Sequence, residues 1–309
     1  MRLSAQQNLV PNPSFEVYDT CPSVVVTNYF DNYISGWKKY AGSPDYFNSC
    51  APQGLGRGIP WNGGGYQPAA TGNAYVGLYT YESSASNLRE FVGTQLSSAL
   101  TVGTKYYVAF KANLAIDTNH VFTYATNNLG VRFSTVPYSF SNPEPVNNSA
   151  QIFDASVITD TLGWTIVKGS FIADSAYRYV AIGNFFDDSH TAVVYVQDTL
   201  YDISAYYYID DVYVSTDSLD GIDTHTVSNA LNIFPNPATD YFTVQIPGAP
   251  AGQEALFTVY DVLGKTVDEE RGSFSEGKYL LYRNGMRSGV YMLKIETGGR
   301  VYYRRIVVQ

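Results

Sequence analysis

The chain has 309 residues, enough for two or three domains with buried cores, and carries 28 Asp+Glu against 19 Lys+Arg. With 28 Tyr, 16 Phe, only 3 Met and 15% charged residues, the composition is strand-forming and lacks the Leu, Glu, Lys and Ala spacing of long amphipathic helices. Residues 1–229 hold 10 Lys+Arg against 20 Asp+Glu and residues 230–309 hold 9 against 8, so an acidic body argues against nucleic-acid binding. No apolar run approaches the roughly 18 residues that span a bilayer.

At the N-terminus, Ser4-Ala5-Gln6 reads as the cleavage end of a secretory signal whose apolar stretch is not in the sequence. We expect that stretch upstream of Met1; a cytosolic protein with a ragged start is the alternative. Cys21 and Cys50 stand in loop-like surroundings beside Pro22, Pro44 and Pro52. An even pair so placed suits one disulfide in an oxidising compartment, with two buried free thiols as the alternative. No CxxC or Cys/His cluster points to a metal.

Alternating runs follow at Tyr106 to Ala112, Gly130 to Ser134, Trp164 to Ile172, Tyr177 to Ile182 and Tyr206 to Val214. In the first, Tyr106, Val108 and Phe110 share one face, and Tyr107, Ala109 and Lys111 the other. A period of two with turns between runs means antiparallel sheet, and about 200 residues of it without helices predicts a jelly-roll β-sandwich over 8–216. Residues 217–229 are small and polar, a linker composition. Shorter strands are expected at Tyr241 to Ile246, Ala255 to Tyr260, Lys265 to Asp268, Lys278 to Arg283, Val290 to Glu296 and Arg300 to Val308, with Thr297-Gly298-Gly299 as a hairpin loop. That is the size of a small immunoglobulin-like sandwich over 230–309. Pro-Asn-Pro opens both regions, at Pro11 to Pro13 and Pro235 to Pro237, and is expected to hold the chain extended there.

Chemistry-bearing residues are few. The stretch Ile59-Pro60-Trp61-Asn62-Gly63-Gly64-Gly65-Tyr66-Gln67-Pro68 combines rings with amides, and sugars offer apolar faces to rings and hydroxyls to amides. Trp61, Asn62, Tyr66 and Gln67 are therefore the candidate ligand-binding set, against a loop that packs on itself. His120, His190 and His225 lie far apart. Asp187-Asp188-Ser189-His190 holds the residue types of a catalytic triad, but such neighbours do not converge on one centre, and a solvated loop is expected. Phosphate loops are absent and no pair of acids is fixed for glycoside hydrolysis, so the reading leans away from an enzyme.

Two resemblances add to this. Leu231 to Asp240 with its Pro-Asn-Pro, Val259-Tyr260-Asp261-Val262-Leu263-Gly264-Lys265, Gly285-Met286-Arg287-Ser288-Gly289-Val290-Tyr291 and Arg305-Ile306-Val307-Val308 occur in order. Together they resemble the type A C-terminal sorting domain of Bacteroidetes type IX secretion. The resemblance implies export directed by residues 230–309 through that machinery, to the medium or the cell surface. Its motif positions read physically as turn residues (Asn236, Gly264, Gly289) and core aromatics (Tyr241, Tyr291).

In the body, Leu9-Val10-Pro11-Asn12-Pro13-Ser14-Phe15-Glu16 and Tyr207-Tyr208-Ile209-Asp210-Asp211-Val212-Tyr213-Val214 resemble the first and last strands of galactose-binding-like jelly rolls. That fold is common among carbohydrate-binding modules, and several of its families hold a structural calcium between those strands. Glu16, Asp210 and Asp211 are the candidate ligands, with only one of the adjacent aspartates expected to project inward. The alternative is an exposed acidic strand end. Asp160-Thr161-Leu162, Asp174-Ser175-Ala176, Asp198-Thr199-Leu200 and Asp217-Ser218-Leu219 resemble Bacteroidetes O-glycosylation sites, where about one match is expected by chance. The functional expectation is an exported protein with a glycan-binding or adhesive body. A polysaccharide hydrolase with an unrecognised site and a structural surface component without a small ligand are the alternatives.

Overall fold

The computed structural model describes residues 8–22, 30–52, 54–116, 122–138, 146–196, 204–218, 231–246, 249–261, 264–297 and 300–309. Expectations on Ser4 to Gln6, His120, Asp198 to Leu200, most of the 217–229 linker with His225, Val262-Leu263 and Gly298-Gly299 lie outside these. The chain divides into two compact units, Met1–Asp223 and Thr224–Gln309.

The first unit contains strands β1 (Trp37–Ala41), β2 (Asp45–Asn48), β3 (Trp61–Asn62), β4 (Gly65–Tyr66), β5 (Ala74–Glu82), β6 (Phe91–Gln95) and β7 (Lys105–Leu114). They are followed by β8 (Tyr124–Thr126), β9 (Leu129–Ser134), β10 (Ile152–Phe153), β11 (Thr165–Ile172), β12 (Tyr179–Asn184), β13 (Val193–Tyr195) and β14 (Ser204–Ser215). Two five-stranded sheets, ordered β1-β6-β12-β9-β10 and β11-β7-β14-β5-β2, face each other, and the chain crosses repeatedly between them as in a jelly roll. Between the sheets lie Trp37, Val92, Val131, Phe133, Val180 and Ile182 from one and Val76, Leu78, Val108, Phe110, Tyr207 and Ile209 from the other.

The alternation read in β7 holds: Tyr106, Val108 and Phe110 point into this core. Nine of these fourteen strands gave no period-two signal; eight of them are only two to five residues long, and β5 shows a second cause. From Ala74 to Leu78 every residue is buried, because the outer face of its sheet is covered as well. Phe47, Tyr75, Ala115, Tyr206 and Tyr208 form a second apolar layer there, under Ile59, Ala69, Phe122 and Trp164. A strand buried on both faces reads as continuously apolar.

The N-terminal segment is not a strand but is bonded like one. Leu9 N donates to Val214 O (2.8 Å), Ser97 N donates to Leu9 O (2.9 Å), and the Asn8 side chain donates to Val212 O (2.8 Å) and accepts from Val214 N (3.0 Å). The expected extended Pro-Asn-Pro is instead a turn. Asn12 has φ +48°, its carbonyl accepts from Trp37 Nε1 (2.9 Å), and its side chain accepts from Val17 N (2.9 Å), so local amide bonding overrides the pre-proline preference. Phe15, fully buried, then packs on Trp37 with ring centroids 4.7 Å apart.

Cys21 and Cys50 are joined, with Cα atoms 6.0 Å apart and 29 residues of separation. The bond ties the N-terminal segment to the turn after β2.

The second unit is a seven-stranded immunoglobulin-like sandwich. Strands β15 (Asn232–Phe234), β16 (Tyr241–Gln245) and β19 (Lys278–Tyr282) form one sheet. Strands β17 (Glu254–Tyr260), β18 (Thr266–Ser273), β20 (Gly289–Thr297) and β21 (Arg300–Val308) form the other, in the order β18-β17-β20-β21. Phe242, Val244, Phe257, Leu281, Leu293, Ile295 and Ile306 fill its own core.

The motif residues have structural tasks. Asn236 donates to Arg305 O (2.9 Å) and accepts from Val307 N (2.8 Å), which clips the start of the unit to its final strand. Asp261 accepts from Lys265 N (3.0 Å) across the turn in which Gly264 takes φ +78°. Tyr291 packs partly buried against the core, and its hydroxyl donates to Arg287 O (2.8 Å). Tyr241 corrects the core reading: it is 44% exposed beside Tyr282, because Phe242 and Val244 take the inward positions of β16. The Pro-Asn-Pro of this unit, expected to be extended, has cis bonds at both Phe234-Pro235 and Asn236-Pro237.

Chain-entropy reasoning gives the disulfide a definite weight. Cys21→Ser is expected to lower the stability of the first unit by about 3.6 kcal/mol for a loop of this size, read by denaturant unfolding without reductant.

Candidate functional site

The outer face of the β11-β7-β14-β5-β2 sheet concentrates the polar chemistry of the body. Ahead of the register shift in β14, its even-numbered residues Tyr206, Tyr208 and Asp210 line this face, whereas Val212 and Val214 beyond it turn into the core. Each of the first three anchors a different loop.

At Tyr208 the anchor is the aromatic hairpin. Trp61 and Tyr66 are cross-strand partners in the β3–β4 pair, with ring centroids 4.7 Å apart and nearly perpendicular planes. Both are half-buried. Asn62 faces the other way: its amide donates to Tyr75 Oη (2.7 Å) while its carbonyl accepts from Tyr208 Oη (2.7 Å) and Gly64 N (2.7 Å). Gln67 is 2% exposed, donates from Nε2 to Pro68 O (3.0 Å), and has its carbonyl bonded by Tyr75 Oη (2.8 Å). The structure thus brings the four candidates together on one loop but divides them. The Asn62 side chain and the Gln67 main-chain carbonyl staple the loop to the sheet, and the rings remain half-buried.

At Tyr206 the anchor is ionic. Its hydroxyl donates to Asp45 Oδ2 (2.6 Å), and Asp45 Oδ1 pairs with Arg57, whose guanidinium lies over the Phe47 ring. Glu90, 3% exposed, sits nearby and accepts from Ser43 N (2.8 Å), Ser43 Oγ (3.0 Å) and Tyr79 N (3.0 Å). Burial lifts its carboxyl from the ordinary 4.5 to about 7, against the lowering effect of these hydrogen bonds. Sequence reasoning assigned this group no role; its signal was a charged pair, Arg89-Glu90, directly ahead of the apolar Phe91-Val92.

At Asp210 the three calcium candidates each bond to the loop at 70–73, but among the described residues they do not form a group that could hold a metal ion. Lys111 stands directly across from Asp210 in the β7–β14 register. The register then slips by a bulge between Asp210 and Tyr213, and Asp211 takes φ +51°. The bulge cancels the alternation that separates adjacent side chains, so both aspartates reach the loop at 70–73. Asp210 Oδ2 accepts from Ala70 N (2.9 Å) and Thr71 N (3.1 Å), and its Oδ1 accepts from Asp211 N (2.7 Å). Asp211 Oδ1 accepts from Ser14 Oγ (2.6 Å) and from Thr71 Oγ1, and Oδ2 pairs with Lys111 Nζ at 2.6 Å. Glu16 Oε1 accepts from Asn73 N (2.7 Å), over Gly72 at φ +65°, where a Cβ would stand 2.4 Å from the carboxylate.

Calcium needs six to eight oxygen ligands. Here the carboxylate oxygens are met by N–H groups, hydroxyls and an ammonium, a donor set that does not fit that ion. Lys111 supplies the positive charge instead. Burial and the charge of Asp211 push the Asp210 carboxyl well above the usual range. Burial would also raise Asp211, but hydrogen bonds from Lys111, Ser14 and Thr71 outweigh it and hold that carboxyl low.

The Asp187–His190 segment is a 3₁₀ turn in which Ser189 and His190 are exposed, while Asp187 and Asp188 are half-buried and Asp188 pairs with the buried Arg89 at 2.9 Å, so the expected solvated loop is solvated on one side only. Asp187 Oδ1 lies 2.7 Å from His190 Nδ1, and Ser189 Oγ lies 3.1 Å from the same nitrogen. Serine and aspartate on one ring nitrogen leave no relay through the imidazole.

Residues 232–309 match the family described as the secretion system C-terminal sorting domain. The second unit is thus a sorting domain, and the protein is cargo of that export route. No curated protein matches the chain. Among solved structures, "CBM4 structure and function" is similar at 14% identity and TM-score 0.29, covering 58% of this chain and 94% of that one. A Parabacteroides merdae β-glucuronidase is similar at 10% identity and TM-score 0.23 over 88% of this chain, which spans 36% of the enzyme. The binding domain of botulinum neurotoxin serotype D/C follows at 10% identity and TM-score 0.24, covering 85% and 69%. Likenesses at these scores carry no functional argument.

Glu90 predicts a pH dependence. A carboxyl raised on folding is compatible with the fold when protonated, so its stability contribution is full below pH 4.5 and is lost as pH rises through about 7. The loss amounts to up to about 3 kcal/mol. In Glu90→Gln, chemical unfolding between pH 5 and 8 is expected to show a shallower decline than in the parent chain.

Proposed function

We propose that the protein is type IX secretion cargo whose jelly-roll body binds carbohydrate at the cell surface or in the medium through the Trp61–Tyr66 hairpin. The observation that carries the reading is the division of labour in that hairpin. Asn62, Gln67, Tyr75 and Tyr208 fix its backbone to the sheet, so two half-exposed rings are presented in a set orientation at little entropic cost. An apolar sugar face can lie on the indole, and the sorting domain delivers such a module to where polysaccharide is met.

On a glycan array and in polysaccharide pull-down, the purified chain is expected to bind, and Trp61→Ala and Tyr66→Ala each to weaken binding about tenfold, or about 1.4 kcal/mol. Binding that survives both substitutions would move the site elsewhere, and turnover of the polysaccharides would favour a hydrolase. For export, removal of residues 230–309 is expected to leave the body in the periplasm, followed by fractionation and immunoblotting. Normal surface delivery of the shortened chain would refute the sorting role.

A further inference from the structure

We propose that Lys111 and Asp211 condense to an intramolecular amide that cross-links β7 to β14.

The geometry is that of two reactants held together. Nζ lies 2.6 Å from Oδ2, and the side chains are 11% and 20% exposed. Their approach is built by the backbone rather than by chance rotamers. Lys111 faces β14 at Asp210, and the bulge with its left-handed Asp211 turns the next carboxyl back onto the same side of the sheet. Two hydroxyls, Ser14 Oγ from the N-terminal segment and Thr71 Oγ1 from the 70–73 loop, donate to Oδ1 of the same carboxyl. They leave Oδ2 as the oxygen that meets the amine. Asp210 does not compete, since both of its oxygens are engaged by the backbone N–H groups of Ala70, Thr71 and Asp211.

The chemistry balances within the pair. One proton passes from the ammonium to Oδ2 across the 2.6 Å contact, giving a neutral amine and a carboxylic acid. The amine nitrogen attacks Cγ, and the oxyanion formed on Oδ1 is held by the Ser14 and Thr71 hydroxyls, as donors stabilise developing charge in acyl transfer. The bond from Cγ to Oδ2 breaks, and that oxygen leaves as water with a second proton from nitrogen. The sum is an ammonium and a carboxylate giving an amide and one water, with no oxidant, reductant or cofactor. Two features drive it. Partial burial penalises the separated charges, which the amide removes. Fixed contact replaces a bimolecular encounter, for which effective molarities reach roughly 10⁵–10⁸ M.

The bond would tie four segments at once: the N-terminal stretch through Ser14, the 70–73 loop through Thr71, and the two strands directly. A hydrogen-bonded ion pair at this place can open, whereas an amide cannot, so the cross-link suits a body exposed outside the cell.

The test is the intact mass of the folded full-length chain, with and without reductant. The expected mass falls short of the sequence by one water, beyond the hydrogens lost to the Cys21–Cys50 disulfide. Proteolysis is expected to yield a branched peptide joining the Lys111 and Asp211 fragments that reductant does not split. Lys111→Arg keeps the charge pair but has no amine for the reaction, and it is expected to fold, by circular dichroism, and to show the full mass. Two results would overturn the proposal. One is a folded parent chain that retains its full mass after prolonged incubation. The other is loss of water in folded Lys111→Arg as well, which would point to cyclisation of an aspartate.

Discussion

Strand β14 has almost no exposed residue, and the rest of the body is arranged around that constraint. It pairs with β7 on one side and β5 on the other, sends Tyr207, Ile209, Val212 and Val214 into the core between the sheets, and sends Tyr206, Tyr208 and Asp210 to the opposite face. A strand buried twice must have every polar atom satisfied by protein groups. The loops over the outer face exist to do this. Asn62 serves Tyr208 and Tyr75, Asp45 serves Tyr206, and the backbone of Ala70 and Thr71 serves Asp210. What looks like a functional surface is first a set of hydrogen-bond obligations, and the half-buried rings of Trp61 and Tyr66 sit at its margin.

Much of the architecture was legible. Runs with one apolar face, such as Trp164 to Ile172, kept their period-two signature because Lys168, Ser170 and Ile172 meet water on the other face. The jelly roll and the small second sandwich follow from them. Most of the body strands that escaped notice, β3, β4, β8, β10 and β13 among them, are two or three residues long and too short to show a period, whereas β5 is buried on both faces, which erases the alternation. In the tail, Tyr241 was assigned inward although Phe242 and Val244 already claimed that face. The alternation there was a better guide than the aromatic character of the residue.

The acidic cluster shows the opposite limit. The resemblance to galactose-binding-like jelly rolls implied that Glu16, Asp210 and Asp211 lie near one another, but a bulge has no signature in composition, and the rule that neighbours on a strand diverge failed at Asp211. Nor did the sequence indicate that the cation would be Lys111, a hundred residues away, since cross-strand register is not readable from one strand alone. The cysteine pair was legible only as an open choice, which the 6.0 Å separation of their Cα atoms decides.

The two apolar cores share no residue: the body closes on Leu9, Val212 and Val214, while the sorting unit starts its own interior at Leu231. Each core is therefore complete without a residue of the other, so parting the two units would leave every described buried side chain with its own neighbours. The cargo would keep its interior as a finished article once its address had been torn off.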